Sequence, residues 1–239
     1  LETSLKSAGV KLEVATQVTT AVEAQLKAEA TSDDVLELAQ RELIKHNSIL
    51  ASRYNLKRAI RELGPTGYPF EQYFAAIMRA YGYETRVGEM VPGNCVEHEV
   101  DIVGKNADKH VMVECKFHHQ KGASSDLQVA MYTHARFMDI EGKWQAHENP
   151  RRGKEAHFHE VWLVTNTHVT SDARQYAECN KVKVVSWGYP EEGSLQDLID
   201  KKGLYPVTIL PSVKRHDRDK LLAVDIILAK KVAEMPLNP

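Results

Sequence analysis

The sequence predicts a mixed α/β protein, a sheet flanked by helices, preceded by an all-α helical domain. Three observations carry that expectation. Residues 1–63 hold apolar residues only at helical spacing, with no period-two run. Glu99-Val100-Asp101-Ile102-Val103 and Val111-Met112-Val113-Glu114-Cys115-Lys116-Phe117 alternate in period two, as half-buried strands do. Beyond them, helix-period and strand-period segments alternate, which is how helices come to pack on a sheet.

The elements follow in order. Leu1 to Ala8 is a short helix stopped by Gly9, and Glu13 to Lys27 carries Val14, Val18, Ala21, Val22 and Leu26 at helical spacing. Thr31-Ser32-Asp33-Asp34 opens a third helix with a capping box, and a fourth covers Ile49 to Leu63. Gly64-Pro65-Thr66-Gly67-Tyr68-Pro69 breaks the chain. Phe70 to Tyr81 is a helix with Gly82 at its C-cap, and Tyr83 to Val91 is a strand. The two alternating runs then form an antiparallel hairpin about a turn at Gly104–Asp108, which sets Asp101 roughly opposite Met112. Ser125-Asp126-Leu127-Gln128 is a second capping-box match, for a helix to about Ile140. Residues 141–157 read as a long polar loop with Lys143, Arg151, Arg152 and Lys154. Val161–Val164 is a buried strand, Ser171 caps a helix to about Cys179, and Val182–Val185 is a further buried strand. Ser194–Asp200 and Asp217–Glu234 read as helices. The expected domains are 1–63, 64–188 and a C-terminal helical extension, 189–239.

Composition bounds what such a chain does. A hydrophobic fraction of 43% and a charged fraction of 27% are those of a soluble globular protein. No run of about 18 apolar residues exists to span a membrane, and the first residues show no leader pattern. Cys95, Cys115 and Cys179 have no framework spacing, which suits the reducing cytoplasm. The net charge of −2 excludes a protein coated in base, so any nucleic-acid contact must be a local patch. No Gly-rich phosphate loop and no G-x-S-x-G motif is present. Cys95, His98, Cys115, His118 and His119 lack a C-x-x-C, so zinc is not supported.

The chemistry concentrates on the hairpin. Asp101, Glu114 and Lys116 share one strand face. Two carboxylates on neighbouring strands, with the Cys115 carbonyl between, offer a corner for Mg²⁺ or Mn²⁺, which prefer oxygen ligands and retain water. Lys116 then orients a water or stabilises charge on a phosphorus centre. The bland alternative is a solvated Glu–Lys pair of small energetic consequence. His118, His119 and Lys121 follow the strand directly and are placed to meet a phosphate, and the 141–157 loop with Arg151 and Arg152 is the other candidate DNA contact.

Two resemblances add to this reading. Phe70-Glu71 on a helix, Gly82-Tyr83 at its end, Glu99-Val100-Asp101-Ile102, Val113-Glu114-Cys115-Lys116, Val164-Thr165-Asn166 and Ser171 to Ala173 together resemble the Mrr-like branch of the PD-(D/E)XK restriction-endonuclease superfamily, over roughly residues 66–186. The resemblance implies a restriction-endonuclease-like fold and Mg²⁺-dependent DNA cleavage. It makes Asp101, Glu114 and Lys116 the catalytic set, with Glu71 in support. The family's Gly-rich approach to the Asp is replaced here by Cys95-Val96-Glu97-His98-Glu99. Ser4–Val10, Val18, Thr31–Val35 and Ala51–Leu56 resemble the ATP-cone, a regulatory nucleotide-binding module. The basic β-hairpin that opens that module has no counterpart in this sequence, so ATP is implied as a regulator while no nucleotide-contacting residue is assigned. The expected partner is DNA, with a homodimer serving double-strand cleavage in restriction or repair. The alternative is a non-catalytic nucleic-acid-binding regulator whose helical domain senses a nucleotide.

Overall fold

The structure is a computed structural model that describes residues 1–146, 158–210 and 212–235. The chain divides into two compact units, Leu1–Ile60 and Arg61–Pro239.

The first unit is all-helical: α1 (Glu2–Ser7), α2 (Leu12–Glu23), α3 (Ser32–His46) and α4 (Ser48–Arg61). Its core gathers Leu5, Val10, Ala15, Val18, Val22, Ala39, Leu43 and Ala51. The capping box forms as the sequence predicts. Asp34 N–H donates to Thr31 Oγ1 at 3.2 Å, and Thr31 N–H donates to Asp34 Oδ2 at 2.7 Å. Two of the orphan donors at the start of α3 are thereby satisfied.

The second unit holds α5 (Tyr68–Ala80), β1 (Glu84–Pro92), β2 (Glu97–Lys105), β3 (His110–Lys116), β4 (Ser124–Ser125), α6 (Leu127–Ala146), β5 (Glu160–Thr165), β6 (His168–Val169), α7 (Ser171–Cys179), β7 (Val182–Val185), α8 (Leu195–Lys202), α9 (Arg215–Ala223) and α10 (Ala229–Ala233). The main sheet runs β1-β2-β3-β5-β7, antiparallel across the first three strands and parallel across the rest. The mixed α/β architecture with an N-terminal helical unit is thus the one the sequence predicts.

Both faces of the sheet are covered. On one, Phe70 of α5 stacks on Phe117 with centroids 5.4 Å apart. Gly104 lies under α5, where an added Cβ would come within 2.6 Å of Met78 Cε. On the other, Val103, Met112, Val161 and Leu163 pack with Ala130 and Ile140 of α6 and Ala173 and Ala177 of α7. The hairpin strands, expected to be half-buried, are therefore buried on both sides at Val103, Val111, Met112 and Val113.

The turn lies one to two residues later than expected, and this resets the register. Asn106 N–H donates to Lys109 O at 3.0 Å, and Asn106 Oδ1 accepts from the Asp108 and Lys109 N–H groups at 3.0 and 2.9 Å. This Asx turn pins the loop to Asn106–Lys109 and leaves Gly104 inside β2. Ile102 pairs with Val113 and Val103 with Met112, so Asp101 is level with Glu114 instead of Met112. The shift is two residues, so the faces are unchanged.

Other boundaries move for local reasons. Helix α6 is capped by Asp126, whose Oδ1 accepts from Val129 N–H at 3.3 Å, rather than by Ser125, which belongs to β4. It continues to Ala146, into the stretch expected as a loop, whose residues 147–157 lie outside the described residues. Thr170, rather than Ser171, caps α7 by accepting from Ala173 N–H at 3.3 Å. The single helix expected over 217–234 is split into α9 and α10, with Asp225 between them at φ +58. Residues 189–239 fall in the second unit. Tyr73 of α5 and Tyr81 at its C-cap donate to the Leu204 and Leu198 carbonyls at 2.8 and 3.0 Å and tie this extension down. Among the described residues no helix is long and apolar enough to cross a membrane.

Candidate active site

The β2–β3 ladder runs only from Lys105↔His110 to Ile102↔Val113. Asp101 and Glu114 are the next residues on each strand and stand where the strands part. Cys115 N–H, freed from the ladder there, donates to Asp101 Oδ2 at 2.7 Å. Glu114 meets Arg136 of α6, with Nη1 to Oε2 at 2.5 Å; their side chains are only 15% and 10% exposed. Glu71 approaches from the first turn of α5.

Electrostatics show that these groups are crowded. Burial pushes Glu114 up to about 7, and the Asp101 and Glu71 carboxylates add to the shift against the opposing Arg136 and Lys116 charges. Burial likewise raises Glu71 to about 7, with Asp101 and Glu99 repelling its ionised form. Asp101 is raised by burial, against the pull of the Cys115 N–H bond and of Arg136. The exposed Lys116 ammonium favours the charged forms of both Asp101 and Glu114. Burial holds the Cys115 thiol well above the usual thiol range, with the Asp101, Glu71 and Glu114 carboxylates adding to the shift. The Cys115 side chain shares the α5 side of β3 with Val113, so only its main-chain carbonyl is a ligand candidate.

Among the described residues, no three His, Cys, Asp or Glu side chains are gathered so as to hold a metal by themselves. The Asp101–Glu114 corner uses two. Its donor chemistry nonetheless suits a hard divalent cation: desolvated, mutually repelling oxygens are what such an ion stabilises, and Mg²⁺ completes its shell with water.

The remaining predicted residues divide. The His118 main chain is clamped by Asn166, which accepts from His118 N–H and donates to His118 O, both at 2.8 Å. The His118 ring meets Ser125 Oγ at 3.0 Å, and burial lowers its pKa, with the Lys116 charge acting in the same direction. This ring is thus held by the fold beside the site. His119 Nε2 reaches Pro65 O at 3.1 Å. Lys121 is exposed in the turn that follows. Arg151 and Arg152 lie outside the described residues. Gln128, matched to a capping box, is exposed on α6, and the cap is Asp126.

Sequence reasoning missed two groups. Glu99 adds a fourth carboxylate to the neighbourhood. Arg136 supplies a buried cation. A lone basic residue among Thr133, Ile140 and Ala130 at helical spacing, on the face that packs against the sheet, was the available signal for Arg136.

Comparison with known proteins places the chain in a family without giving it an activity. No family model matches the sequence. An uncharacterised protein of Archaeoglobus fulgidus is 35% identical over 158 residues, covering 66% of this chain and 82% of that protein. The chain belongs to that protein's family. Among solved structures, the crystal structure of the protein of unknown function AF1548 superposes with a TM-score of 0.59 at 34% identity, over 71% of this chain and 84% of that one. Can2 from Sulfobacillus thermosulfidooxidans, in complex with cyclic tetra-adenylate, gives a TM-score of 0.37 at 14% identity over 79% of this chain and 50% of that one. A score that low supports no argument about shared fold or activity.

Proposed function

We propose that the protein is an Mg²⁺-dependent endonuclease that hydrolyses DNA phosphodiester bonds, in the manner of Mrr-like PD-(D/E)XK enzymes. The observation that carries this reading is that Asp101 and Glu114 face one another just past the end of the β2–β3 ladder, close enough for each charge to act on the other, with Lys116 two residues on. Asp101, Glu114 and the Cys115 carbonyl would hold the ion. Bound there, Mg²⁺ polarises a phosphoryl oxygen and lowers the pKa of a coordinated water. Lys116 offers an ammonium for the charge that develops at phosphorus. Glu71 bears on the corner through its charge. Lys121, and Arg151 and Arg152 in the stretch that follows α6 in sequence, are the proposed backbone contacts, and the N-terminal unit would regulate or assemble the enzyme. Two copies would be needed to cut both strands together.

The test is incubation of supercoiled plasmid with Mg²⁺ or Mn²⁺. Nicking or linearisation by the wild type, lost in Lys116→Ala, is the expected result. Undiminished cleavage by Lys116→Ala, or none by the wild type, would overturn it.

A further inference from the structure

Resting on that reading, we propose that Arg136 is a positioning residue for the metal corner. It holds Glu114 by one oxygen and so presents the other to the cation shared with Asp101.

The geometry is specific. Arg136 lies on the buried side of α6, and its guanidinium stands over the Tyr132 ring at 5.3 Å from the centroid, one helical turn back. Its Nη1 takes Glu114 Oε2 at 2.5 Å. Among the described residues no hydrogen bond engages Glu114 Oε1. Arg136 is 9% exposed, so the packing of α6 on the sheet restricts where the guanidinium goes, whereas the Tyr132 ring beside it is 59% exposed.

A surface Lys–Glu pair would not do this, because both chains would pay rotamer entropy to hold one arrangement. A buried arginine does, because its planar fork is already oriented. The same charge offsets the repulsion between Glu114 and Asp101. Carboxylate ligands in metal sites are held in this way by partners behind them, and losing such a partner lowers metal affinity by about 10- to 100-fold.

The experiment is Mn²⁺ titration by calorimetry and by electron paramagnetic resonance on the full chain, with circular dichroism melts on every variant. Wild type is expected to bind Mn²⁺ and Asp101→Asn to lose it. Arg136→Met is expected to weaken binding by about 10- to 100-fold and broaden the bound Mn²⁺ signal, while Arg136→Lys recovers part of the affinity. Glu114→Gln is expected to lose Mn²⁺ binding as Asp101→Asn does. If Arg136→Met does not fold, Arg136→Lys carries the test: affinity below wild type is expected, and wild-type affinity with an unbroadened signal overturns the role of Arg136. Unaltered or tighter binding by Arg136→Met, beside a wild type that needs Asp101, overturns the role of Arg136 and leaves the endonuclease reading standing. Absence of Mn²⁺ binding by the wild type overturns both.

Discussion

Two carboxylates, one on α6 and one that meets it through Arg136, are treated in opposite ways by this fold. Asp139, on α6, accepts His98 Nε2 at 2.7 Å and the Cys95 and Val96 N–H groups at 2.8 and 3.3 Å. Those donors, the imidazole first, hold its carboxyl at about 2. Glu114 is buried with the Asp101 and Glu71 carboxylates near it, and against the Arg136 and Lys116 charges it stands at about 7. Asp139 ties the β1–β2 connection to a helix, and every donor around it is used. Glu114 is left short of donors. A fold that satisfies one acid fully and leaves another short has separated structure from chemistry, since desolvated acids with raised pKa values are suited to binding cations and moving protons.

The comparison can be broken at several points, and the largest effect is expected in catalysis. Asp101→Asn should lower plasmid cleavage by about 100- to 1,000-fold, the scale on which removing one precisely aimed polar group acts. Asp139→Asn should leave the cleavage rate within a few-fold of wild type. Equal losses in the two variants, measured as single-turnover rates, would erase the distinction. Next comes stability. Asp139→Ala leaves two main-chain donors without acceptors, so its melting temperature should fall by several degrees while Mn²⁺ affinity holds.

A smaller effect lies in pH. Glu71 has a folded pKa of about 7 against an ordinary 4.5, so the folded state binds more protons than the unfolded chain between those values. Its contribution to stability is complete below pH 4.5 and is lost as pH rises through about 7. Glu71→Gln should therefore flatten the decline in melting temperature over that window. Mn²⁺ should stabilise the wild type more at pH 8 than at pH 5.5, because bound carboxylates must be ionised. Thermal melts across a pH series with and without the ion read both. The smallest effect is expected at Lys121. Lys121→Ala should lower DNA affinity slightly and reduce the slope of log K against log salt by about 0.9 if it contacts one phosphate of a duplex. Fluorescence anisotropy at several salt concentrations measures it.

How much of this was legible in the sequence differs between fold and site. Alternation at Val111–Phe117 and the helical spacing around Val18 are local signals, and they placed the sheet and the helical unit correctly. The register was not legible, because it depends on which polar residue folds the turn. Asn106 does so with its own side chain, and Gly104 stays in the strand because Met78 of α5 lies against it. No rule of spacing contains a helix from the opposite layer. The faces survived because the slip was by an even number of residues. At the site, Asp101, Glu114 and Lys116 were visible because strand parity alone puts them together. Arg136 was not, because its partner is 22 residues away and the contact arises only when α6 folds onto β3.

Helix α6 carries both Arg136 and Asp139, and a length change in it would be felt twice. Adding or removing one residue between them would turn one relative to the other by about 100°. Either Glu114 would lose its cation or the chain at Cys95 would come undone. Point changes on the outer side of α6, at Gln128 or Met138, carry no such penalty. Over generations this helix can therefore be repainted but not re-cut, and its gaps will be found beyond Asp139, toward Lys143, rather than before it.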